Sequence, residues 1–344
     1  MKTYIKMYRL CLVVTLVTLF VACSKDDGDN PIPTELVTNV YAVGEKLNGT
    51  SYLPTLWKNG EAQYLNDGSN EGYAYSVAVS GSDVYAVGEE YTGTNSVAVL
   101  WKNGVGQNLP DESNGASAAS VVVSGDDVYV AGAVHNGTRN VATLWKNGVA
   151  QNLTDGSNQA YANSVVVSGS DVYVVGEEHN GTNPVATLWK NGVPQSLTDG
   201  SNYTTANAVA VSGSDIYVVG REYIEGNYIA VLWKNGVAQA ITDGSNYAHA
   251  SSVAVSGSDV YVAGKEGDIA TLWKNGVAQS LTDGSNNAAA YSVTVLGNDV
   301  YVVGHQYNGT NEVATLWKNG EPQNLDQDLS EGYAYSLFIT QTEE

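Results

Sequence analysis

One phrase, Leu-Trp-Lys-Asn-Gly, recurs with its tryptophan at positions 57, 101, 145, 189, 233, 273 and 317. The spacing is 44 residues throughout, apart from 40 between Trp233 and Trp273. A fixed period of this size means one supersecondary unit stacked on copies of itself, since no single unit can bury its own apolar face. Read from Ser164 to Asn207, one unit predicts four short strands. Strand A is Ser164–Ser168, with valines at 165–167, and Gly169-Ser170 is a tight turn. Strand B is Asp171–Gly176, alternating apolar residues with tyrosine, and a B–C loop runs from Glu177 to about Asn183. Strand C is Val185–Lys190, and Asn191-Gly192 is a strong hairpin signal because both residues tolerate positive φ. Strand D is Val193–Leu197, and Asp199-Gly200-Ser201-Asn202 turns the chain into the next unit.

Seven units of four antiparallel strands predict an all-β fold, a seven-bladed β-propeller. Composition agrees: Tyr numbers 23 and Phe 2, and no long Leu/Glu/Lys helical stretch occurs. The repeat begins at strand B (Asn39–Gly44) and stops after Tyr335–Thr340, which matches strand A. The last strand is therefore expected to complete the first blade and close the ring, whereas a linear solenoid would need capping repeats.

Residues 1–22 carry Lys2, Lys6 and Arg9, then an apolar run from Leu10 to Ala22, which is the pattern of a secretory signal. A run of about 13 residues is short for a membrane span of ~20. It ends in Leu19-Phe20-Val21-Ala22-Cys23-Ser24, which resembles the bacterial lipoprotein box and makes Cys23 the lipidated N-terminus. Ser24-Lys25-Asp26-Asp27 resembles the tag of surface-exposed Bacteroidetes lipoproteins. The resemblance implies an outer membrane lipoprotein facing the exterior, with residues 23–35 as its tether and 36–344 as the propeller. The other cysteine, Cys11, lies in the signal, so no disulfide is expected in the mature domain.

The formal net charge is −21, and loss of the signal takes three positive charges and no negative one. Nucleic acid is therefore excluded as a partner, because phosphate contacts need a basic surface. The blade unit resembles the extracellular HAF-type repeat through Leu188-Trp189-Lys190-Asn191-Gly192 and Val218-Val219-Gly220. The resemblance spans roughly residues 39–340. It departs where Leu-Thr-Asp-Gly-Ser follows the hairpin and where Val-Ser-Gly-Ser-Asp replaces an Ile-Asn turn, and it brings no established site.

Residues present in every blade (the Trp, the strand-B Tyr, the following Lys) most simply solve packing problems every blade has. The Asp of Ser-Asp-Val-Tyr is expected to cap its own hairpin. The Asp-Gly-Ser-Asn turns lack the ligand spacing of a calcium loop and read as turns closed by the Asp side chain. Function is expected where blades differ, on the face of the B–C loops and D–A turns. Four basic residues outside the repeat lysines, Lys46, Arg139, Arg221 and Lys265, fall in B–C loops. So do His135, His179 and His305, while His249 lies in a D–A turn. Seven glutamates, among them Glu45, Glu89, Glu177 and Glu178, open the B–C loops. A series around the channel mouth reads Tyr73, Ser117, Tyr161, Thr205, His249, Ala289, Tyr333. Tyrosine offers apolar area and a hydroxyl at low entropic cost, which suits sugar or protein recognition.

The candidate ligand-binding residues are the mouth residues Tyr73, Tyr161, His249 and Tyr333 and the loop residues Tyr91, His179, Arg221, Tyr223, His305 and Tyr307. The sixth blade's short B–C loop (Lys265–Asp268) lowers the rim near Arg221, Tyr223, His305 and Tyr307. The expected function is glycan binding on this face by a monomer with no cofactor and no metal. The alternatives are a protein-interaction or scaffold module of the envelope, and a glycoside hydrolase or lyase. No nucleophile motif or metal-binding spacing supports catalysis.

Overall fold

The computed structural model describes residues 36–343, apart from 94, 111–114 and 327. The signal, Cys23 and the tether therefore lie outside the described residues. Twenty-eight strands form seven four-stranded antiparallel sheets, each ordered A-B-C-D. The A strands of neighbouring blades adjoin one another around the ring. In the first blade strand A is the C-terminal strand Gly332–Glu343, paired with Leu36–Asn48 from Leu36↔Glu343 to Lys46↔Gly332. The ring closes as the repeat count predicts.

The core is divided among the interfaces between blades. Trp189 of the fourth blade packs against Tyr129, Leu144 and Leu153 of the third. Trp57 of the first blade packs against Tyr301 and Leu316 of the seventh in the same way, so the closing interface resembles the other six. All seven tryptophans are at most 1% exposed. Truncating a side chain of this size in a packed core typically costs about 3–5 kcal/mol, which explains why every blade keeps it. Each Asn-Gly hairpin has the positive φ expected of it, 53° at Asn191 and 79° at Gly192.

Two expectations need correction. Strands A and B are longer than the apolar pattern indicates. In the fourth blade strand A runs Ala160–Ser168 and strand B Asp171–His179, so Glu177 and Glu178 end a strand rather than open a loop. The cause is a β-bulge in strand A between Ala162 and Ser164. Burial switches parity across it, from Ala160 and Ala162 above to Val165 below, which breaks the alternation. The bulge also explains the glycine closing each Val-Val-Gly: a Cβ on Gly176 would lie 1.9 Å from the Tyr161 carbonyl oxygen.

The repeat aspartate, secondly, does not cap its own turn. Asp171 accepts from Asn191 Nδ2 at 2.9 Å, pairs with Lys190 Nζ at 2.7 Å and accepts from Tyr173 O–H at 3.3 Å. It ties the A–B turn to the C–D turn, with the lysine over the Tyr173 ring. Its carboxyl is held below the usual range by Lys190 and Asn191. Six blades have this latch; the first has Asn39 in place of the aspartate. The Asp-Gly-Ser turns do close on themselves, with Ser157 N–H donating to Asp155 Oδ1 at 2.8 Å.

Candidate functional site

The longer strands bring the variable residues to the top of the channel at defined register. Each mouth residue of strand A pairs with one residue of strand B. On the first, second and fourth blades the pairs are Tyr333↔Glu45, Tyr73↔Glu89 and Tyr161↔Glu177. On the fifth, sixth and seventh they are Thr205↔Arg221, His249↔Lys265 and Ala289↔His305. The mouth is thus split into a tyrosine–carboxylate arc and a basic arc. The third blade has only Ser117↔Ala133.

Each carboxyl accepts a side-chain hydrogen bond from the next position down strand A. Tyr75 O–H donates to Glu89 Oε1 at 2.8 Å, and Tyr335 O–H donates to Glu45 Oε1 at 2.9 Å. On the fourth blade Asn163 Nδ2 donates to Glu177 Oε2 at 2.7 Å. Burial pushes the Glu45 and Glu177 carboxyls up to about 7, against the opposing pull of these hydrogen bonds. Glu45 Oε2 is buried without a hydrogen-bond partner. Tyrosine rings pack into a wall over the seventh, first and second blades: Tyr291–Tyr335 at 5.3 Å, Tyr75–Tyr335 at 5.8 Å and Tyr73–Tyr91 at 5.9 Å between centroids.

On the basic arc, Arg221 lies over the Tyr228 ring at 4.6 Å and donates to Tyr247 O–H at 2.8 Å. His249 and His305 are held neutral, their pKa lowered to about 4 by burial and then by neighbouring cations, Lys265 for both and Arg221 for His249. His305 Nε2 faces Asn287 at 3.3 Å and Glu312 at 3.5 Å.

The third blade is small at all three inner positions, Ser117, Ala119 and Ala133, and a cavity of about 490 Å³ opens there. This volume is within the ~300–1,000 Å³ of small-molecule sites. Tyr91 and Glu89 border it from the second blade, Tyr161 and Asn163 from the fourth, and His135 and Asn140 from the third. Tyr161 O–H accepts from Asn140 Nδ2 at 2.8 Å and Gln159 Nε2 at 2.5 Å, which fixes its ring at the cavity edge. A groove of about 550 Å³ on the opposite face, between the second and third blades, is larger. The same groove recurs between the fifth and sixth blades. At other interfaces a glutamine side chain reaches over the corresponding hairpin glycine, as Gln195 does at Gly236. A groove that repeats and depends on one surface rotamer is a feature of the framework, so the upper cavity is the stronger candidate.

The candidate residues separate into groups. Tyr91 and Tyr161 border the cavity, and Tyr73 packs edge-on against Tyr91. Arg221, Tyr223 and His249 belong to one aromatic cluster around Tyr228 and Tyr247. His305 and Tyr333 form another, with ring centroids 4.8 Å apart. Tyr307, 37% exposed, is at the upper end of its strand, and His179 ends strand B of the fourth blade. The sixth blade's connection is the short one, Gly267-Asp268. Glu89, Asn140 and Asn163 were missing from the candidate set. Glu89 is visible in the sequence as one of the repeated glutamates, Asn163 shares a register with Tyr75 and Tyr335 only once strand A is extended four residues upward, and Asn140 begins strand C.

Among the described residues no helix is long and apolar enough to cross a membrane, and no group of three or more His, Cys, Asp or Glu is placed to hold a metal ion. No model of a known protein family matches the chain, and no curated protein matches it. Among solved structures it is similar to TolB from Acinetobacter baumannii, at 11% identity and a TM-score of 0.48, over 87% of this chain and 66% of that one. It is also similar to an acylaminoacyl peptidase from Pyrococcus horikoshii, at 12% identity and a TM-score of 0.50, over 83% of this chain and 52% of that one. The chain spans less than two thirds of either protein. At this identity the likeness to the peptidase concerns fold alone, and it agrees with the topology above: the chain is a seven-bladed β-propeller.

Proposed function

We propose that this protein is a surface lipoprotein, anchored through Cys23, whose propeller binds a glycan in the third-blade cavity. The HAF-type repeat supplies the framework, and the outward-facing tether displays it. One observation carries the reading: the described cavity on the variable face is bordered by two tyrosines, a carboxylate, three carboxamides and an imidazole. Aromatic faces with a few fixed polar groups are the chemistry that holds a sugar ring. The groups bind and orient, and no catalytic role is assigned to them.

A glycan array probed with fragment 36–344 tests this. Binding of a defined glycan class, lost in Tyr161→Ala at an unchanged melting temperature, is the expected result. An array without binders would reject it. A second reading, an envelope protein docking on the upper rim, draws support from Tyr91, Tyr223, Ile224, Tyr247 and Tyr307, each at least 37% exposed. Capture of an envelope protein by a fragment that binds no glycan would favour that reading.

A further inference from the structure

We propose that the cavity selects glycans by charge: it accepts an amino sugar with its ammonium group against Glu89 and rejects sugars bearing carboxylate or sulfate. The inference rests on the glycan reading and adds the substrate class. Its basis is the hydrogen-bond inventory of the lining.

Glu89 is 9% exposed, and both tyrosine hydroxyls that reach it, Tyr75 at 2.8 Å and Tyr91 at 3.4 Å, donate to Oε1. Oε2 accepts no hydrogen bond from any described residue and is not among the fully enclosed oxygens. Glu89 is also the one carboxylate of the arc that borders the cavity, since Glu45 and Glu177 do not line it. No lysine or arginine is among the described lining residues, and the one histidine there, His135, uses Nδ1 as an acceptor for Gly137 N–H at 3.2 Å. Residues 111–114 of the sequence include no lysine or arginine.

A second group agrees. Asn163 Nδ2 donates to Glu177 Oε2 at 2.7 Å and to the Ala206 carbonyl at 3.0 Å. Two acceptors on one side fix the amide orientation and use both N–H groups, which leaves Oδ1 as an acceptor. The cavity therefore offers a carboxylate oxygen and an amide oxygen with no fixed cation. A ligand anion would face an unbalanced, partly desolvated charge in a protein of net charge −21. A ligand ammonium would gain a charge-assisted hydrogen bond there.

Calorimetric titration of fragment 36–344 at about pH 6, where an amine is protonated, tests the inference. The probes are a glucosamine disaccharide, its N,N′-diacetylated form and a galacturonate disaccharide; short probes limit non-specific attraction to an acidic protein. The amine form should bind about 10-fold more tightly than the acetylated form, and the galacturonate should not bind. Glu89→Gln, which keeps an acceptor for Tyr75, should bring the amine-to-acetyl ratio to about one while acetylated sugar still binds. In the wild type the same ratio should fall to about one near pH 9, where the amine has lost its proton, a readout that does not depend on the variant folding. A ratio that survives Glu89→Gln or persists near pH 9 overturns the proposal. Galacturonate binding that Ser117→Tyr abolishes would keep the glycan site and overturn the charge selection. Absence of binding by all three, together with an empty array, overturns both.

Discussion

Replacing Glu45 by glutamine should remove one of the contributions that lower stability as pH rises. Glu45 and Glu177 have folded pKa values raised from 4.5 to about 7, with burial the largest cause in both. The native state then binds more protons than the unfolded chain between these values, so each carboxyl lowers stability as pH rises through that window. At about 1.4 kcal/mol per pH unit, each contributes roughly 3 kcal/mol by neutral pH. His249 and His305 do the reverse. Their pKa values fall from 6.5 to about 4, so stability rises with pH from about 4 to 6.5, again by roughly 3 kcal/mol each. The two carboxyls and two imidazoles offset one another from about pH 4.5 to 6.5. The lower-face aspartates, with lowered pKa values, act only below that window. Glu45→Gln removes one falling contribution. Its stability should match wild type near pH 4.5, apart from a constant packing difference, and exceed it by up to about 3 kcal/mol near pH 7.5. Urea unfolding followed by the fluorescence of the buried tryptophans, at both pH values, measures this. His305→Gln should open a gap of similar size at the acid end. A Glu45→Gln difference that is the same at both pH values would refute the reasoning.

Cys23→Ser should move the protein from membrane to soluble fractions, if lipidation is the anchor; unchanged retention would exclude it. Truncation after residue 330 removes the strand that pairs with Leu36–Asn48 and buries Ala334 and Leu337. It should lower the melting temperature and cause aggregation through the exposed edge, and a melt identical to wild type would contradict ring closure. Gly176→Ala places a methyl group against the Tyr161 carbonyl oxygen and should destabilise by about 3 kcal/mol or more, whereas Gly169→Ala, with nothing within 4 Å of the added Cβ but a φ of 61°, should cost less.

The blade count, the hairpins and the ring closure are legible in the sequence because each rests on residues that recur. Seven tryptophans at fixed spacing and seven Asn-Gly turns leave little freedom. The upper ends of the strands are not legible. The bulge at Asn163 changes the parity of burial, so the apolar alternation begins at Ser164 although the strand begins at Ala160. Gly176 looks like a strand end because glycine usually is one, yet here it is needed for close approach of the bulged carbonyl. The aspartate latch is not legible for a related reason: its partners, Lys190 and Asn191, are distant in sequence and meet it only through strand pairing. The cavity is harder still, because it consists of missing side chains. Ser117, Ala119 and Ala133 become one feature only when the register places Ser117 opposite Ala133. The mouth tyrosines, being large and irregularly distributed, were visible without it.

The central claim is that the small residues of the third blade make the binding site. The direct measurement is the affinity of the best array glycan for fragment 36–344 carrying Ser117→Tyr, beside Thr205→Tyr as the same change on the fifth blade. Tyrosine is native at this position in the first, second and fourth blades, so the framework accommodates it. Ser117→Tyr should weaken binding by about 30-fold or more, in line with the roughly 2 kcal/mol of a dominant contact, and Thr205→Tyr should leave it unchanged. Equal loss in both variants, or undiminished binding by Ser117→Tyr, would contradict the account.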